Sequence, residues 1–214
     1  RQITPELEKY GVKTTIITLD PPQSSWLESF PGNVISLGPA YTNYYFKINL
    51  HKQIREIAKT HDYIIIEGLW QYHSLATWRA LKTLKIPYFI YPHGMLDPWF
   101  KYKYPLKHLK KSIYWLFFES HVINNSKGIL FTTNQECILA RDTFKPYKPK
   151  EYIVGYGTSK PKGNKNDQIL SFKKKFPKLK NKRLILFLGR IHQKKGIDLL
   201  INAFSRIASK DKNL

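Results

Sequence analysis

Residues 63–91 read Tyr63-Ile64-Ile65-Ile66-Glu67, then a helical pattern from Ser74 to Leu84 with Leu75, Trp78, Leu81 and Leu84 on one face, then Tyr88-Phe89-Ile90-Tyr91. The two short runs are β-branched and aromatic and lack polar alternation, as strands covered on both faces require. Strand, helix, strand in this order predicts a parallel βαβ unit. The same alternation extends outward, with strands expected at Thr14–Thr18, Val34–Leu37, Gly128–Phe131, Tyr152–Val154 and Leu184–Leu188. Helices are expected at Phe46–Thr60, with Ile48, Ile54, Ile57 and Ala58 on one face, and at Leu106–Val122, with Leu109, Ile113, Leu116 and Phe117 on one face. The class is therefore α/β, with a doubly wound parallel sheet. From Phe144 to Asp167 three prolines and three glycines interrupt the pattern, which places a boundary there, giving a first lobe at 1–150 and a second beginning at 151. No period of 20 to 50 residues recurs, which excludes a solenoid.

The 214 residues carry 36 Lys plus Arg against 15 Asp plus Glu, a formal charge of +21. A hydrophobic share of 42% and an aromatic share of 14% are those of a chain that buries a core. The single Cys137 allows no internal disulfide and fits a reducing compartment, so a cytoplasmic location is expected. No apolar run approaches the roughly 20 residues needed to cross a bilayer. Residues 151–214 hold 16 basic and 4 acidic groups, the denser half of the charge. Much of that comes from Lys173-Lys174-Lys175 and the lysines after it, read as a solvated face whose field also attracts phosphorylated ligands or an anionic membrane surface.

Gly189-Arg190-Ile191-His192-Gln193-Lys194-Lys195-Gly196 lies between an expected strand and an amphipathic helix. Ligands bind at such strand ends in open α/β sheets. Gly189 and Gly196 permit a tight turn, the helix start offers unpaired N–H groups, and Arg190 and Lys195 supply two cations suited to a diphosphate. On these residues alone a phosphate site and an ordinary surface turn weigh evenly. The segment is neither a P-loop nor a dinucleotide fingerprint. No Asp-x-Asp motif and no zinc-type His/Cys spacing occurs.

Phe187 to Phe204 resembles the donor-phosphate segment of the retaining GT-B glycosyltransferases of family four, also called glycosyl transferases group one. Tyr91-Pro92-His93-Gly94-Met95-Leu96-Asp97-Pro98-Trp99 resembles that family's Pro-His-Gly-Met-Leu segment, and Thr132-Thr133-Asn134-Gln135-Glu136 its Thr/Ser-x-x-Glu. The three follow in family order and the likeness spans the chain from about Glu67 onward. It implies two Rossmann-like lobes, the second incomplete, and transfer of a sugar with retention from a UDP- or GDP-type donor to a saccharide or lipid-linked acceptor. Surface polysaccharide or glycolipid biosynthesis is the implied setting. The likeness also implies that no metal or other cofactor is expected, with which the lack of Asp-x-Asp and zinc-type spacings agrees. By the same likeness Arg190, Lys195 and His93 are catalytic, and Gly94, Gly157, Gly189 and Gly196 join Arg190 and Lys195 in binding donor. Glu67, Trp70 and His73, which follow or end a first-lobe strand, are candidates for the acceptor-side wall.

Three departures stand out. Val154-Gly155-Tyr156-Gly157-Thr158 replaces the family's Pro-Asn-Gly, and the family's glycine-rich first loop and paired donor-binding glutamates have no counterpart between Arg1 and Leu214. A piece cut at both ends, inactive by itself, is the expectation. Trp99 to Lys111 interleaves aromatics with lysines, as either a solvated basic helix or a surface for anionic membrane at the inner face would. The charge also admits a basic nucleic-acid-binding protein, although no nucleic-acid motif is present and no specific nucleic acid is expected; a noncatalytic sugar-nucleotide-binding remnant is a third reading.

Overall fold

The computed structural model describes residues 2–179, 182–208 and 210 of the chain. It divides into two compact units, the first running to Ser159 and the second beginning at Lys160. The first contains α1 (Ile3–Lys9), β1 (Thr15–Thr18), α2 (Ser25–Glu28), β2 (Asn33–Ser36), α3 (Leu50–Ala58), β3 (Ile64–Glu67), α4 (Tyr72–Leu81) and β4 (Tyr88–Tyr91). There follow α5 (Trp99–Lys103), α6 (Pro105–Tyr114), a π-helical turn (Trp115–Glu119), α7 (Ser120–Asn124), β5 (Gly128–Phe131), α8 (Asn134–Ala140) and β6 (Glu151–Ile153). Strands β3-β4-β5-β6 pair side by side in chain order, all parallel, and β1 pairs parallel with β2. This is the mixed α/β, parallel-sheet architecture of a Rossmann-like GT-B lobe. The first unit passes the 150/151 boundary read from sequence because β6 completes its sheet, with Leu130 opposite Tyr152.

The core lies between the sheet and α3, α4 and α7. Ile66, Ile90, Ile129 and Phe131 supply the strand side; Leu50, Ile54, Ala58, Leu75, Ala76, Ala80, Val122 and Ile123 supply the helices. Ala58, Ala76 and Ala80 are fully buried, and their small side chains let α3 and α4 approach closely. Trp115 is 1% exposed, stacks on Phe144 at 5.0 Å and donates its indole N–H to the Pro146 carbonyl at 3.1 Å.

Three expectations are corrected. The helix expected from Phe46 begins at Leu50, because Asn49 has a left-handed φ of 60° that stops the helix there, and Ile48 is exposed. The expected helix over 106–122 forms in three pieces, and its apolar face is turned the other way. Leu109, Ile113, Leu116 and Phe117 are exposed, whereas Trp115, Glu119, Val122 and Ile123 fill the core. The third concerns the second unit, which holds α9 (Lys165–Lys175), 3-10 turns at Pro177–Leu179 and Gln193–Lys195, and α10 (Ile197–Ala208). The strand expected at Leu184–Leu188 forms no ladder there. A strand needs a neighbour for its N–H and C=O groups, and this unit has no other strand among the described residues.

Candidate active site

Parallel pairing aligns the carboxyl ends of β3 and β4, with Glu67 opposite Tyr91. The chain turns sharply at both ends. After β3, Gly68 has φ 87° and Trp70 φ 72°; after β4, His93 has φ 49° and Gly94 φ 71°. Left-handed backbone at Trp70 and His93, neither of them glycine, costs free energy that surrounding contacts must offset. At Gly68 a Cβ would also come within 3.2 Å of Met95 Cε, so the two turns pack against each other.

The aligned ends bring Glu67 and His93 together. Nε2 of His93 donates to Oε2 of Glu67 at 2.5 Å, since a carboxylate oxygen accepts. The imidazole stacks on Tyr91, ring centres 5.6 Å apart, and Tyr156 meets both rings edge-on. Burial and the charge of Glu67 raise the Tyr91 phenol above its ordinary range. A half-exposed carboxylate, an oriented imidazole and aromatic faces form a surface able to hydrogen-bond and stack on a sugar ring.

Glu136 fastens this wall from the first turn of α8, just after β5. One of its oxygens accepts from the Gly94 amide at 2.7 Å, the other from the amide and hydroxyl of Thr132 at 3.0 and 2.8 Å. Thr133 caps α8 by accepting from the Glu136 amide at 3.1 Å. The Thr-Thr-x-x-Glu spacing thus makes a helix cap whose acid also holds the His93–Gly94 turn. Glu136→Ala strands three donors and is expected to cost about 2 kcal/mol, measured as a lower denaturant midpoint.

The other sequence candidates sit as follows. The Trp70 indole is packed against Phe144 at 4.9 Å, donates to the Met95 carbonyl at 3.3 Å and carries the Lys111 ammonium 4.3 Å above its ring. It is an anchor of the turn. His73 donates to the Glu67 carbonyl at 3.1 Å, and burial lowers its pKa. It braces the strand end from α4. Gly157 lies in an exposed irregular segment with open space where a Cβ would be.

In the second unit Gly196 has φ 65°, closes the 3-10 turn that contains Lys195, and is followed at once by α10. The His192 ring accepts from the Lys194 amide at 3.1 Å. Gly189 and Arg190 precede this turn, Lys195 ends it, and all three are exposed. Sequence reasoning missed the Glu67–His93 pairing, the grip of Glu136 on Gly94, the ring of Tyr156, and a buried acid, Glu119. The one local signal for Glu119 was a charged residue directly following the apolar run Trp115-Leu116-Phe117-Phe118.

No curated protein matches the sequence. The family model described as Glycosyltransferase Family 4 matches residues 1–153, which include the Glu67, His93 and Glu136 arrangement; residues 187–204 lie outside the match. The chain belongs to Glycosyltransferase Family 4.

Proposed function

We propose that this chain works in a glycosyltransferase that moves a sugar, with retention, from a UDP- or GDP-type donor to a saccharide or lipid-linked acceptor in surface polysaccharide or glycolipid biosynthesis. The observation that carries the reading is the Glu67–His93 pair at the carboxyl ends of adjacent parallel strands in a family-four lobe. Glu67 orients the His93 ring toward a sugar hydroxyl, Tyr91 and Tyr156 offer apolar faces, and Gly94 leaves its surroundings open to ligand. Departure of the nucleoside diphosphate builds negative charge, which Arg190 and Lys195 neutralise, and no metal ion is required. Gly189 and Gly196 let the backbone approach the diphosphate, and Gly157 serves on the donor side. The test is transfer of radiolabelled sugar from UDP- and GDP-sugars to lipid and saccharide fractions by protein carrying this sequence. Absence of transfer from every donor, with free diphosphate unreleased, overturns the reading.

An acceptor held at the cytoplasmic face of an anionic membrane is supported by α5, α6 and the π turn. Leu106 is 83% and Phe117 68% exposed, in line with exposed Tyr102, Leu109, Ile113 and Leu116. Lys103, Lys107 and Lys110 are exposed on the same stretch. Apolar side chains ringed by ammonium groups match an anionic lipid surface, at about 1 kcal/mol per Lys near it. No helix among the described residues is long and apolar enough to cross a membrane. Sedimentation with phosphatidylglycerol vesicles is expected to fall at least tenfold for the pair Leu106→Ser and Phe117→Ser. Equal sedimentation with neutral phosphatidylcholine vesicles removes this part of the reading.

A further inference from the structure

Glu119 ends the π turn and is 0% exposed, enclosed by α4, α6 and the Trp70 turn. Its Oε1 faces the Trp70 amide at 3.5 Å and its Oε2 faces the Ser74 hydroxyl at 3.3 Å. Ser74 Oγ also lies 2.9 Å from the Gln71 carbonyl. A hydroxyl has one proton, and the Gln71 carbonyl can only accept. The shorter contact therefore takes the Ser74 proton, which leaves an oxygen lone pair facing Glu119 Oε2. Two acceptors so placed need a proton between them, and the group able to carry it is the Glu119 carboxyl.

We propose that Glu119 is a positioning residue held as a neutral carboxylic acid, donating to Ser74 and accepting from the Trp70 amide, so that one ordered chain of hydrogen bonds fixes the Gly68–Gln71 turn. That turn leaves β3 directly after Glu67, the partner of His93, and its left-handed Trp70 needs a local restraint. Burial supports the assignment, pushing the Glu119 pKa up to about 7 against opposing hydrogen bonds and the charge of Lys111. The titratable groups that interact with it are Lys111 and Tyr114 of α6, Tyr88 of β4 and Tyr44 of the loop before α3; Arg79 of α4 interacts with the Tyr44–Tyr114 hydroxyl pair. Above neutrality Glu119 ionises, the Ser74 proton is drawn away from Gln71, and the turn loosens.

The proposal concerns the turn itself and is tested without activity, so it stands or falls apart from the glycosyltransferase reading. Glu119→Gln reproduces the neutral acid: its amide donates to Ser74 and its carbonyl accepts from Trp70. A folded-state pKa above the unfolded one gives stability that is present at low pH and lost as pH rises through about 7. The folding equilibrium constant of wild type relative to E119Q is thus expected to fall roughly thirtyfold between pH 5.5 and 8.5. The Trp70 amide resonance should titrate near neutrality in wild type and be flat in E119Q. Glu119→Ala, which leaves the Trp70 amide unpaired, should lower the constant at least tenfold at pH 5.5. An E119Q protein that is unfolded, or as unstable as E119A at pH 5.5, overturns the proposal, as does a wild-type Trp70 amide that does not titrate between pH 5.5 and 8.5.

Discussion

Trp115→Ala is expected to destabilise the first unit by about 4 kcal/mol, read as a fall in denaturant midpoint at unchanged slope. Trp115 combines the largest side chain in the core with 1% exposure, so its removal opens a cavity that neighbours fill only in part. It also withdraws the donor to the Pro146 carbonyl and the stacked face under Phe144, itself packed on Trp70 at 4.9 Å. A domain is stable by roughly 5–15 kcal/mol, so the change takes a large share of the whole. Trp115→Phe keeps most of the volume and should lose less than half as much. A loss under 1 kcal/mol for Trp115→Ala would show that this part of the core collapses freely, contrary to the packing described.

On the proposed role of Lys195 against the leaving diphosphate, Lys195→Ala is expected to lower kcat for sugar transfer by about 10²- to 10³-fold while the acceptor KM moves little. Removing one preorganised group that meets developing negative charge costs that much in comparable sites. The effect belongs in kcat because the leaving diphosphate gains its charge as the bond breaks. Lys195→Arg restores the charge with a different shape and should recover part of the rate. Lys194→Ala, beside it on the same turn, separates general basic attraction from a placed cation. Equal losses for the two alanine variants would count against a specific role for Lys195.

The first unit's four-stranded sheet was legible because β3, β4 and β5 are short apolar runs separated by helical patterns. The expected cover on both faces is not met in β3, where Ile66 is buried and Ile65 is 42% exposed. The helix over 106–122 was legible as a helix and misread as to its facing. Period 3.6 identifies an apolar stripe, and the same stripe serves a core or an outside surface. Which it meets depends on Trp115, Val122 and Ile123, whose own claim on the core is settled by the sheet beneath. Residues 184–188 have strand composition, yet strand formation is a property of pairs, and propensity holds no information about the partner. His93 stood out through its motif. Its union with Glu67, 26 positions earlier, came from the β3–β4 register, which fixes which strand ends meet.

The π turn at Trp115–Glu119 also makes the chain intolerant of a change in length at that place. A π turn holds one residue more per cycle than an α-helix, which advances about 100° per residue. Excising a single residue there would let α6 run straight into α7 and swing Val122 and Ile123 by about that angle, away from the sheet. Loops elsewhere in the lobe can gain or lose residues at modest cost. This one surplus residue is a spacer that sets the phase between an outward apolar face and an inward one, so relatives that retain both faces are expected to retain its length while varying its side chains.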